Sequence, residues 1–120
     1  MSDDFGGPRP LPIRNAMHYD GRVFERVDWS QRGAYMQRKH GIAPAIADEA
    51  LEDPNRVVID PDYNSESVRI LGFSVTADDV ITVIVLEHDG TEYGVNGWTA
   101  NEKDRRLYAG SEGEADEQRD

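Results

Sequence analysis

The sequence contains no cysteine, which excludes a disulfide framework, a thiolate metal site and a thiol nucleophile. No apolar stretch approaches the roughly 20 residues that a membrane-spanning helix needs. The start of the chain lacks the basic-then-apolar pattern of a secretory signal, so a cytoplasmic protein is the expectation. Basic residues are also scarce: 13 Lys and Arg stand against 24 Asp and Glu, a formal charge of −11. Most non-specific affinity for nucleic acid comes from phosphate neutralisation, and this balance opposes it. The acids are unevenly spread, however. Residues 1–28 carry five acids and four bases, residues 29–108 fourteen and eight, and residues 109–120 five and one.

What the chain does have is one long β-branched run, Val80 to Leu86, bounded by Asp78-Asp79 and His88-Asp89-Gly90. It reads as a strand with Ile81, Val83 and Val85 on one face and Thr82, Ile84 and Leu86 on the other. Both faces are mostly apolar, which places it inside a sheet. At 120 residues the chain is one domain with one core. Residues 1–28, rich in Gly and Pro at their start, read as a flexible arm that either adds an edge segment between Met17 and Val27 or lies against the domain. The domain is expected over 29–108, and 109–120 reads as a disordered acidic tail.

Within the domain, Asp28 or Ser30 caps a helix running to about His40, with Trp29, Gly33, Tyr35 and Met36 inward and Gly41 as its stop. A second helix starts near Ala43, with Pro44 in its first turn, and runs to about Leu51, with Ile42, Ile46, Ala47, Ala50 and Leu51 as its apolar stripe. Strands are expected at Arg56–Asp60, Ser67–Val75, the central run, and Glu92–Asn96 after a hairpin in which Gly90 takes positive φ. The connections are too short for parallel crossovers, so the sheet is an antiparallel meander of three or four strands. A last helix, capped by Thr99 or Asn101, runs through Tyr108. The fold expected is α+β, with two N-terminal helices, the sheet and a C-terminal helix, the helices lying on one face.

Four places carry side chains with chemistry. His40 sits at a helix C-terminus, which favours a protonated imidazole and suits proton donation or a phosphate contact; the plain alternative is a capping histidine. Arg69 lies inside an apolar strand on the face of Leu71 and Phe73, either snorkelling at an edge or facing a functional surface. Asn96 and Trp98, at an apparent strand-to-helix junction, suit a hydrogen bond to a base edge or phosphate and base stacking, against a hydrophobic plug for Trp98. Lys103, Arg105, Arg106 and Tyr108 crowd the last helix as a solvated or a phosphate-binding face. His18, His40 and His88 have no metal-ligand spacing, and the acidic pairs sit at caps and turns, so no metal and no cofactor are expected.

Trp29, Arg38-Lys39-His40-Gly41-Ile42, the segment Ala47 to Pro54, Ser67 to Gly72 and Asp104-Arg105-Arg106-Leu107-Tyr108 together resemble the BrnT family of bacterial toxins, within the RelE-like ribonuclease group. The resemblance spans about Trp29 to Tyr108. It implies a RelE-like fold and the toxin half of a type II toxin–antitoxin pair. It also implies metal-independent cleavage of messenger RNA, and restraint by an antitoxin protein of the ribbon-helix-helix, DNA-binding kind. By the same resemblance His40, Arg69, Arg105 and Tyr108 take catalytic roles, with Lys39 and Arg106 against the RNA, while Asn96 and Trp98 are set against the RNA by their own side-chain chemistry alone. Val95-Asn96-Gly97-Trp98 departs from the family, which usually ends this strand in an Ile-Ser-Ala-Arg type sequence. With the net charge, that departure motivates the alternative, a catalytically inactive BrnT-like module that binds a partner protein.

Overall fold

A computed structural model describes residues 22–62 and 66–110. The parts of the expected arm and tail at 1–21 and 111–120 lie outside the described residues, as do 63–65 of the loop after the first strand and His18. In chain order the elements are α1 (Gly33–His40), α2 (Pro44–Glu52), β1 (Val57–Ile59), β2 (Val68–Ser74), β3 (Asp79–His88), β4 (Thr91–Thr99) and α3 (Glu102–Gly110). The four strands form one antiparallel sheet in the order β1-β2-β3-β4, so the fold is α+β. The β-branched run lies in β3, between β2 and β4.

Local chemistry sets the breaks between elements. Gly41 ends α1 in the left-handed region at φ 74°, donating its N–H to the Gln37 carbonyl. Pro44 stands in the first turn of α2, where its missing N–H costs no helical bond. Asp89 and Gly90 both take positive φ, which turns β3 into β4 with the twist a two-residue hairpin favours. Asn101 accepts a hydrogen bond from the Asp104 amide and so caps α3. Ahead of α1, Asp28 accepts from the amide and hydroxyl of Ser30, and a turn carries the chain to the helix, which starts at Gly33 rather than at the cap residues.

The sheet's two faces are covered from different sides. On the first face, Val58 of β1, Val68 and Ile70 of β2, and Ile81, Val83 and Val85 of β3 form a core with Phe24, Met36, Ile42, Ala47, Ala50 and Leu51. This packing is tight. A methyl at Gly72 would lie 2.0 Å from the Ala50 carbonyl oxygen, and one at Gly94 would lie 2.3 Å from the Trp29 ring. On the second face, Val57, Ile59 and Leu71 pack against Leu107 and Tyr108 of α3. The helices are therefore divided between the faces, α1 and α2 on one and α3 on the other, rather than sharing one. The reason is that β2 and β3 are apolar on both faces and each must be removed from water.

A second difference lies in β4, which continues through Gly97 and Trp98 to Thr99 instead of ending at Asn96. Ile84 pairs with Asn96 and Val85 with Gly94, so Val95 is an extra residue in β4 at this point. Such a bulge resets the register and re-aims the side chains beyond it.

Candidate functional site

Pairing across the sheet places the candidate residues in adjacent rows of the second face. One row runs Ile59, Arg69, Ile84, Asn96, and the next Val57, Leu71, Thr82, Trp98. Arg69 and Asn96 therefore flank Ile84 in one row, and Trp98 stands beside Thr82 in the other.

Arg69 is buried, and its guanidinium is held by carboxylates on two sides. Nε donates to Asp62 Oδ1 at 2.6 Å and Nη1 to Asp104 Oδ2 at 2.9 Å. Thr82 donates its hydroxyl to the same Asp104 oxygen at 2.9 Å. Asp104 is 1% exposed, so this is an ion network inside the protein. Burial alone would lower the Arg69 pKa. The hydrogen bond to Asp62 and the charges of Asp104 and Asp62 outweigh it, and the guanidinium is held above its ordinary value.

The Arg69 guanidinium carbon also lies 5.7 Å from the centre of the Trp98 ring. From the end of α1, the His40 imidazole approaches the same indole, ring centres 5.7 Å apart at an interplanar angle of 53°. Because α1 packs on the first face, with Met36 beneath Gly97, His40 meets Trp98 at the sheet's open edge, β4 being an edge strand. Trp98 thus joins the helix-end imidazole to the mid-strand arginine. Asn96, one row away, turns its side-chain oxygen back onto the Gly97 amide.

The C-terminal helix lies over this face but spends its polar groups on the fold. Arg105 forms a two-pronged pair with Asp79, at 2.6 and 3.2 Å. The hydrogen bond from Arg105 holds the Asp79 carboxyl below its usual range. Arg106 pairs with Glu102 one turn back, fully at the surface. The Tyr108 hydroxyl donates to Asp53 Oδ2, the oxygen that also receives the Phe73 amide. Of the expected site residues, His40, Arg69, Asn96 and Trp98 are brought together. Arg105 emerges near Asp79 at the start of β3, Arg106 faces solvent, and Tyr108 is drawn toward the end of α2. Among the described residues no group of three or more His, Cys, Asp or Glu is placed to hold a metal ion, and no helix is long and apolar enough to cross a membrane.

Lys39 differs from the α3 cations, and Arg32 and Arg38 share the difference. Among the described residues none of the three is paired with a carboxylate. All three are exposed along α1 and its lead-in, and Arg32 lies over the Tyr35 ring at 4.3 Å while donating to the Val95 carbonyl. The signal for them is legible in the chain, for no Asp or Glu occurs between Asp28 and Asp48. Reading charge over long segments conceals it.

No protein-family model matches this chain, and no curated protein matches it at a significant level.

Proposed function

We propose that this protein is a toxin-type endoribonuclease of the BrnT-like, RelE-like kind, acting on messenger RNA and restrained by a small antitoxin protein. The observation that supports it is the meeting of His40 and Arg69 on Trp98, with Asn96 beside them, at an open sheet edge. RNA carries its own nucleophile. The 2′-oxygen attacks the adjacent phosphorus, the bond to the 5′-oxygen breaks, and a 2′,3′-cyclic phosphate and a 5′-hydroxyl result. The protein needs only to take a proton from the 2′-hydroxyl, return one to the leaving oxygen, and hold the developing phosphate charge.

In this reading His40 handles the proton, and Trp98 and Asn96 meet the base. Arg105 turns from Asp79 to the phosphate, because an exposed ion pair contributes only about 0–1 kcal/mol and is readily exchanged. Arg69 is a positioning residue, since its guanidinium already serves two carboxylates and fixes the indole. Tyr108 anchors α3 through Asp53, and Lys39 and Arg106 meet the backbone.

The test is incubation of the purified chain with an end-labelled, unstructured RNA and with DNA of the same sequence. Cyclic-phosphate ends on RNA alone, reduced 100-fold or more in His40→Ala, are expected; intact RNA under all conditions refutes the nuclease. A second reading is favoured by the Asp62–Arg69–Asp104 network, whose two carboxylates leave the mid-strand cation with no charge to spare. There the chain is a catalytically inactive BrnT-like module that forms a stable complex with a partner protein and leaves RNA uncut.

A further inference from the structure

We infer that the flank of α1 and its lead-in formed by exposed Arg32, Arg38 and Lys39 and half-buried Tyr35 is a binding track for the backbone of single-stranded RNA, leading to the His40–Trp98 edge. The inference rests on the RNA substrate proposed above and names the surface that would hold it.

Its first basis is availability. Arg69, Arg105 and Arg106 each hold a carboxylate of this chain, whereas Arg32, Arg38 and Lys39 hold none among the described residues. Phosphate binding at an unpaired cation displaces only counterions, and that release is the source of the affinity. A cation already paired must first surrender its partner. The second basis is local charge: in a chain of net charge −11, the interval between Asp28 and Asp48 carries these three cations and no acid. It therefore forms a positive strip on a negative molecule.

The third basis is the interleaving of aromatic rings with the cations. Tyr35 lies under Arg32, and at the other end of the helix His40 leads to Trp98. Stacking faces set among backbone cations suit unpaired bases, which a duplex does not expose. An acidic protein would use the cations but has no call on the rings. Arg32 and Lys39 lie seven residues apart, about 10 Å along the axis, and their directions differ by only about 20°. Arg38 stands on the adjoining flank. The strip therefore serves a few successive phosphates.

The experiment measures binding of a fluorescein-labelled 12-nucleotide RNA to the full-length protein by anisotropy, as sodium chloride is raised from 50 to 300 mM. The three phosphate contacts of the track contribute about −2 to the slope of log K against log salt, at about 0.7 per contact on single strands. The triple variant Arg32→Ala, Arg38→Ala, Lys39→Ala is expected to bind at least tenfold more weakly at 50 mM, with a slope shallower by about 2. Arg105→Ala with Arg106→Ala, whose cations must first leave Asp79 and Glu102, should weaken binding by less than about threefold. All three α1 residues are exposed, and retained binding by Arg32→Lys with Arg38→Lys separates loss of charge from loss of structure. Unchanged binding by the triple variant overturns the track. So does displacement of the RNA by poly-glutamate as readily as by unlabelled RNA, which would assign the strip to an acidic protein. Cleavage distinguishes the two proposals: RNA bound through α1 but left intact refutes the nuclease and keeps the track, while normal cleavage by the triple variant does the reverse.

Discussion

Arg69 shows how a side chain of one sequence type serves two different ends. A cation in the middle of an apolar strand reads either as a side chain snorkelling at an edge or as one facing a functional surface, because burying a charge without cause is costly. Here the cost is met by Asp62, Asp104 and the Thr82 hydroxyl, residues from a loop, a helix and another strand. Removing one member of such a network leaves the others charged and dry. Arg69→Ala is expected to lose about 3–5 kcal/mol of stability by urea denaturation, and Arg69→Met, which fills the space but leaves two buried carboxylates, is expected to lose a comparable amount. Losses below 1 kcal/mol would mean that the network is wet and adaptable. The same logic explains why Trp98 is not simply a plug. Its ring lies between a fixed guanidinium and an imidazole, and no short-range sequence pattern could have placed both there.

At the scale of elements, tight contacts between helix and sheet fix the architecture. Gly72 lies under α2, where an added methyl would meet the Ala50 carbonyl at 2.0 Å. Gly72→Ala must push α2 off β2, and an overpacking loss of about 2–3 kcal/mol is expected by denaturant titration. Gly41→Ala tests a different term. Nothing crowds the site, but φ is 74°, and a loss of about 1 kcal/mol is expected from the left-handed backbone alone. A third element-scale prediction concerns the β2–β3 turn. Glu49 of α2 accepts hydrogen bonds from the Thr76 and Ser74 hydroxyls and the Thr76 amide, which hold its carboxyl below the usual range. A depressed native pKa means that the unfolded chain binds the proton first as pH falls. The stabilisation is complete above the unfolded value near 4.3 and is lost below it as pH drops through the native value. In Glu49→Gln, the fall in Tm between pH 4.5 and 3 should be shallower than in the parent.

Over the whole molecule, charge is separated: α1 and its lead-in are basic, and the remainder is acidic. Ten residues, 111–120, hold five acids and one base. Ending the chain at Gly110 removes that charge while keeping the contacts of Leu107 and Tyr108 with the second face. The shortened chain is expected to melt within about 2 °C of the parent, since the described core is intact. It should bind RNA more tightly at 50 mM salt, with the difference fading toward 0.5 M as screening shortens the reach of the charge. A Tm many degrees lower would show that the acidic segment supports the fold.

What the sequence by itself determined is what depends on neighbours along the chain. The β-branched run specified β3 and its two faces, Gly41 stopped α1, Pro44 opened α2, and Asp89-Gly90 made the hairpin. Each of these rests on backbone propensity or on a period of 2 or 3.6, which local composition carries. The tertiary structure alone decided that α3 covers the opposite face from α1 and α2, that a bulge at Val95 carries β4 on to Trp98, and that His40 and Arg69 share one indole. Those outcomes depend on which surfaces must be buried together and which carboxylates come within reach of which cations. Such relations join residues distant in the chain, here across 42 positions from Asp62 to Asp104, and they exist only once the sheet has brought them side by side.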